Sequence, residues 1–251
     1  MKRNCIFGAL LFLTAVWAVG ADPAALAVLK RVESIIYPDN FHVKNILTTT
    51  GPGKSGVPLV FDVYHKKDTG SVMTILSPAR SKGIRFLERS NGLWMYNPKA
   101  GSGNAIRLSP RSSFQGSVFS NNDVSDPNYS KDYNVEFGSD ETIETADLGK
   151  VACRVLECAA KNEMSPYARI RVWVRASDDL PLRMDYYARS GALFKRMTLS
   201  DVKFMAGRRR PSKITMVSLE EEGVVSTVSF EDMTVRNDLP DAMFTEAALT
   251  R

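Results

Sequence analysis

The side chains best suited to nucleophilic or metal chemistry are few: His42, His65, Cys153 and Cys158. A Ser/His/Asp site needs a histidine beside a nucleophile on a sharp turn, and no Gly-x-Ser-x-Gly is present. Two histidines also leave little material for a zinc site. The stretch Thr48-Thr-Thr-Gly-Pro-Gly-Lys54-Ser55 imitates a phosphate-binding loop. That loop requires a glycine where Thr48 stands and a helix after the Lys-Ser pair, whereas a strand pattern follows here. Ala100-Gly-Ser-Gly-Asn104 reads as a turn without dinucleotide spacing. The acidic pairs Asp178–Asp179 and Glu220–Glu222 fall at turns, where solvated surface is the simplest reading. The expectation is no enzyme and no cofactor.

Cys153 and Cys158 lie in one strand-like stretch, VACRVLECAA. Five residues of strand span roughly 16 Å, beyond disulfide reach, and odd spacing puts the two thiols on opposite faces. Two buried or half-buried thiols are expected rather than a bridge. Arg208-Arg209-Arg210 forms a basic cluster between Gly207 and Pro211. It reads either as a solvated hairpin tip or as a docking patch for anionic head groups or an acidic partner. Arg80, Lys82 and Arg85 make a looser cluster. Neither has aromatic stacking partners beside it, so nucleic acid is not expected as a partner.

The elements around these residues begin with a leader. In residues 1–21, Lys2 and Arg3 precede an apolar run, small residues and Asp22–Pro23. This is the three-part pattern of a secretory signal peptide, too short to span a membrane comfortably. Cys5 precedes the apolar run, so lipidation there is not expected; the protein is read as exported and soluble. The chain has 251 residues with 44% hydrophobic and 24% charged side chains, ordinary globular composition that excludes wholesale disorder. The full chain carries 33 basic and 28 acidic side chains; without Lys2 and Arg3 the balance is 31 against 28, or +3. Residues 22–251 read as a single domain.

Residues 23–36 place Leu26, Leu29, Val32, Ile35 and Ile36 at helical spacing, with Asp22 able to cap and Pro23 in the first turn. Beyond Asn40 the pattern turns to alternation, with Gly and polar clusters between runs. Roughly ten or eleven mostly antiparallel strands are expected, followed by a short helix in Pro240–Leu249. Residues 109–132 interrupt them with a stretch rich in Ser, Asn, Asp and Pro that embeds Phe114, Val118 and Phe119. Such length marks a functional lid, a pair of short helices or a mobile loop. A single curved sheet with one apolar face needs a cover, and the amino-terminal helix and residues 109–132 are the sizeable candidates.

Alternation gives the inward set as Leu59, Phe61, Val63, Ile84, Phe86, Trp94, Tyr96, Ile170, Val172, Leu182 and Met184. In Gly92-Leu-Trp-Met-Tyr-Asn-Pro98, Trp94 and Tyr96 share one face while Leu93 and Met95 share the other, and both are apolar. Met73, Met95, Met184, Met197 and Met216 add soft surface that adapts to flexible ligands.

The stretch Ser77-Pro-Ala-Arg-Ser-Lys-Gly-Ile-Arg-Phe-Leu-Glu-Arg-Ser-Asn-Gly-Leu-Trp-Met-Tyr-Asn-Pro98 resembles the outer-membrane lipoprotein-sorting proteins, the LolA/LolB-like carriers. Ser112–Ser117, Val172–Val174, Leu180–Arg183, Tyr186–Tyr187 and Ser190–Gly191 also fit. The resemblance implies a half-open antiparallel β-barrel covered by an amino-terminal helix and a helical lid supplied by 109–132. Phe114, Val118 and Phe119 would then be lid contacts. In that family an arginine directly before a proline latches the lid. Here Ser77 precedes Pro78, so Arg80 is the substitute. The implied function is a monomeric periplasmic carrier that binds lipid or lipoprotein acyl chains, with an inner-membrane exporter and an outer-membrane acceptor as partners. The alternative is an envelope-assembly interaction module with a solid core.

Overall fold

The computed structural model describes residues 22–90, 92–101, 103–125 and 129–251. The expected signal peptide, residues 1–21, lies outside the described residues. The amino-terminal helix α1 spans Pro23–Ile36, the range that the apolar spacing predicts. The Asp22 carboxylate accepts hydrogen bonds from the amides of Ala24 and Ala25, which would otherwise be orphaned at the helix start.

Fourteen strands follow, against the ten or eleven expected: β1 Asn40–Thr50, β2 Leu59–Lys66, β3 Gly70–Ser77, β4 Arg85–Arg89, β5 Gly92–Tyr96, β6 Ile106–Arg107, β7 Tyr133–Phe137, β8 Glu141–Thr145, β9 Gly149–Ala160, β10 Arg169–Arg175, β11 Pro181–Tyr187, β12 Leu193–Met205, β13 Arg208–Ser218 and β14 Val225–Val235. They form one antiparallel sheet ordered β6-β5-β4-β3-β2-β1-β14-β13-β12-β11-β10-β9-β7, with β8 on β9 beside β7. The sheet curves without closing: β6 and β7 are its two ends. β8 escapes a reading based on hydrophobic alternation because Glu-Thr-Ile-Glu-Thr carries only one apolar side chain.

The concave face holds the main core. Phe61, Val63, Met73, Phe86, Ile170, Val172 and Met184 are buried there, with Leu59 and Ile84 packed at its margin. Alpha-helix α1 adds Val28, Leu29, Val32 and Ile36. The opposite, convex face has its own cover. After β14, a 3-10 turn at Asp241–Phe244 and helix α4 at Glu246–Leu249 bring Leu239, Phe244 and Leu249 onto Leu87.

Trp94 and Tyr96 belong to this convex cluster, not to the concave face where alternation alone put them. The register explains it. Phe86 pairs with Met95 and Leu87 with Trp94, so Leu93 and Met95 are the inward residues of β5. Both faces of β5 are apolar because both are roofed. Leu182 also departs from the inward set. The β10/β11 register slips between Trp173 and Val174, whose partners are Arg183 and Pro181. That bulge takes Leu182 out of phase with Met184. It packs instead with Ile35, Val151, Cys153, Val155, Trp173 and Leu180.

Cys153 and Cys158 are free, buried and divided between two separate clusters, as their odd spacing requires. Burial pushes the Cys158 thiol up from its ordinary range, so it stays protonated and inert.

Candidate functional site: a lidded apolar cavity

Between the concave face and residues 109–125 lies a cavity of about 120 Å3. Phe61, Val63 and Met184 of the inward set line it, as do Phe114 and Phe119 from the covering segment. Phe86, Ile170, Val172, Leu59, Ile84 and Val118 build the core around it. Alternation missed Phe41, Tyr37 and Phe230 in the wall. All five of the methionines singled out in the sequence pack in the same core, and Met73, Met184 and Met197 line the cavity itself.

The cover is held by aromatic packing and by backbone. Phe114 sits 5.7 Å from Phe61 and 5.1 Å from Phe86, ring centre to ring centre. The Phe114 amide donates to the Phe119 carbonyl at 2.7 Å, which closes a tight loop around Gln115 and Gly116. The Val118 amide donates to Ser226 Oγ on β14 at 2.9 Å. Two helices of four residues complete the segment, α2 at Asn121–Val124 and α3 at Tyr129–Asp132. A capping box starts α2: Asp123 N donates to Ser120 Oγ, and Ser120 N donates to Asp123 Oδ2 at 2.7 Å. The α3 end is tied to α1, where Glu33 accepts from Ser130 N and Ser130 Oγ, both at 2.8 Å.

The strongest polar anchor is Asp123. Its side chain is 1% exposed and pairs with Lys195 of β12 at 3.1 Å. The Tyr167 hydroxyl donates to the same carboxylate. Beside them the hydroxyls of Tyr129 and Tyr186 meet at 3.1 Å. Burial raises the Tyr129, Tyr167 and Tyr186 phenols well above their ordinary value, with Asp123 reinforcing the shift in each, so they remain donors at neutral pH. The sequence gives no local signal for this cluster, since Asp123 and Lys195 are 72 positions apart. The Arg80 expectation fails on placement. Arg80 is exposed in the turn after β3, its carbonyl accepts from Lys99 at 3.2 Å, and its side chain makes no hydrogen bond or ion pair among the described residues.

A polar cleft of about 950 Å3 adjoins the cavity, with Lys30, Glu33, Lys67, Glu88, Arg89 and Lys131 in its walls. Ile36, Tyr37, His65 and Tyr129 line both spaces and form the threshold between them. Asn45 lines the apolar cavity, and its buried Oδ1 has no hydrogen-bond partner among the described residues. His65 bonds Ser71 Oγ at 2.9 Å and stacks on Phe41, while His42 contacts Asp62 at 2.6 Å. Each histidine therefore has a structural partner, and neither stands beside a nucleophile on a sharp turn.

The arginine triplet divides. Arg210 is 3% exposed and donates to the carbonyls of Ser34 and Ile35, both at 2.7 Å. It satisfies the carboxyl end of α1, where the last carbonyls lack helical partners and a cation is favoured. Burial, with Arg208 nearby, lowers its pKa to about 10, so it is still charged at neutral pH. Arg208 donates to Ser34 Oγ at 3.0 Å. Arg210 is thus structural and cannot serve as a docking residue; Arg208 and Arg209 remain exposed.

Comparison with known proteins adds relatives to this geometry. The family described as "Uncharacterized protein" matches residues 67–251. No curated protein matches the chain. Among solved structures, a LolA superfamily protein from Nitrosomonas europaea is 27% identical, with a TM-score of 0.77 over 89% of this chain and 98% of that one. A DUF1329 family protein from Desulfovibrio piger is 23% identical, with a TM-score of 0.78 over 90% of this chain and 98% of that one. An outer membrane lipoprotein-sorting protein domain from Vibrio parahaemolyticus is 18% identical, with a TM-score of 0.77 over 91% of this chain and 99% of that one.

Proposed function

The chain belongs to the family that spans residues 67–251 and has the fold of the LolA superfamily; on that premise we propose that it is a non-enzymatic carrier of lipid or lipoprotein acyl chains. Residues 22–251 act as one carrier domain that works in the periplasm as a soluble monomer, receiving cargo from an inner-membrane exporter and releasing it to an outer-membrane acceptor. The observation that carries this reading is the cavity under the cover of residues 109–125, walled by aromatic and methionine side chains and opening at Ile36, Tyr37, His65 and Tyr129 onto a polar cleft. An amphiphile fits that sequence of environments: acyl chains inside, polar head in the cleft.

The cavity of about 120 Å3 is smaller than the roughly 150 Å3 that accommodates benzene, so an acyl chain enters only if the cover moves. Phe114 and Phe119 then leave places that the chain's methylenes fill. Exchange of one apolar occupant for another keeps the cost of opening low.

Purification from a native membrane extract, followed by mass spectrometry of bound lipid, tests the reading. Co-purifying acyl lipids and saturable uptake of a fluorescent fatty acid support it. Absence of both overturns it and favours the second reading, an envelope-assembly module whose core stays filled by Phe114 and Phe119, for which the small cavity speaks.

A further inference from the structure

The hairpin joining β12 and β13 ends in Ala206 and Gly207, both at positive φ (47° and 80°). Successive positive φ values make the tight two-residue turn that matches strand twist, and an alanine there is strained where glycine is not. Just before the turn stands Phe204, 75% exposed, paired across the hairpin with Arg209. Apolar residues exposed singly need no explanation. Phe204 differs because it is an aromatic at a rigid tip with cations around it. Lys203, Arg208 and Arg209 are exposed on the same hairpin end. The β8–β9 turn meets β12 further back from this end, where the Asp201 amide donates to Asp147 Oδ2 at 3.1 Å. Leu148 of that turn and Lys150 of β9 are exposed there. Three acids lie here: Glu144 faces Lys150 across the β8/β9 pair, Asp147 accepts that amide, and Asp201 is held by Lys203 at 2.8 Å and by Ser212 Oγ at 2.7 Å.

We propose that this tip, Phe204 with the cations Arg208 and Arg209, docks on an anionic lipid surface. A protein partner fits less well. A stable protein interface needs roughly 800 Å2 per partner, far more than a convex two-residue turn offers. A bilayer interface accepts a single aromatic side chain and rewards each nearby cation. Placement supports the assignment. Arg208 and Arg210 fasten the hairpin to the end of α1 at Ser34 and Ile35, one residue before Ile36 and Tyr37 at the cavity mouth. Docking would hold the mouth at the lipid surface. This last point rests on the carrier reading; the docking itself does not.

Co-sedimentation with vesicles of phosphatidylcholine alone, or with added phosphatidylglycerol, tests it. Binding to the anionic vesicles is expected and should weaken as salt rises. Phe204→Ser should lower partitioning about tenfold and Arg209→Glu by a similar factor, with circular dichroism and fatty-acid uptake unchanged. Both residues are exposed, so folding survives their replacement. No binding to anionic vesicles, equal binding to both vesicle types, or full binding by both variants overturns the proposal. So does a vesicle-independent change from dimer to monomer in Phe204→Ser, which would identify a second copy as the occupant. Absence of both co-purifying lipid and fatty-acid uptake in the wild-type protein, with vesicle binding intact, would sink the carrier reading alone.

Discussion

Both faces of the sheet are roofed by apolar side chains, but the roofs are fastened differently. On the convex side Leu239, Phe244 and Leu249 seat on Leu87 by packing, and the polar ties there, Lys66 to Asp241 and to the Leu239 carbonyl, leave the Asp241 carboxylate in solvent. There the neighbouring strands present Tyr64, Val72, Trp94 and Tyr96. On the concave side Phe114, Val118 and Phe119 pack too, but the segment is also pinned by a buried ion pair, Asp123 to Lys195, and a phenol, and a cavity lies beneath it. Apolar packing is non-directional and weakens gradually. A buried ion pair is all or nothing, and leaving one partner alone is strongly unfavourable. The first kind of fastening suits a permanent cover and the second suits a part that has two positions.

The largest expected effect comes from the permanent roof. Phe244→Ala should lower global stability by about 3–5 kcal/mol, as for other fully buried phenylalanines, measured by urea unfolding, with little gain in fatty-acid uptake. Phe114→Ala removes the same side chain, also buried, yet should cost only about 1–2 kcal/mol, because a cover that opens by itself limits the loss to its own closing energy. Equal losses for the two would erase the distinction between roof and lid. Lys195→Met strands the Asp123 carboxylate. Amide exchange across residues 109–125 should quicken at least tenfold and uptake of the fatty-acid probe should accelerate. Unchanged exchange there would mean that the ion pair does not fasten the cover. The smallest effect concerns the convex polar network. Burial alone would raise the Asp185 carboxyl, but hydrogen bonds from Arg183 and Arg196 outweigh it and hold the group below its ordinary 3.8. A depressed carboxylate stabilises the fold above about pH 4 and loses that contribution as pH falls through its folded value. Asp185→Asn should therefore flatten the acid limb of stability against pH, read by thermal melts from pH 5 down to pH 2.

Alternation and capping made much of this legible. The helix Pro23–Ile36, with Asp22 at its start, follows from apolar spacing and a turn-forming Asp-Pro. Phe61, Val63, Phe86 and Met184 face the core because their strands run regularly there. Trp94 and Tyr96 were illegible as to side, since a strand apolar on both faces has no phase to read. Leu182 was lost to a bulge, which shifts the alternation with no signature in composition. Arg210 looked like surface because charge usually is; only the helix end it serves explains its burial. Asp123 and Lys195 could not be paired in advance, because their contact depends on how a polar loop folds over a strand far along the chain.

The strand order carries one more consequence, for how the chain assembles. β1 to β6 form a run of neighbours in sequence, and so do β9 to β14. The two runs meet only where β1 lies against β14, with Phe41 opposite Val235 and Thr50 opposite Val225. Closing so long a loop is entropically slow, and non-local pairing of this kind sets the folding time of β-rich proteins. Until the last strand arrives, β1 has one bare edge and the concave face is bare beside it. The half-assembled protein thus displays an open strand and an unroofed apolar surface, and its yield should depend on how quickly residues 225–235 become available to the seam.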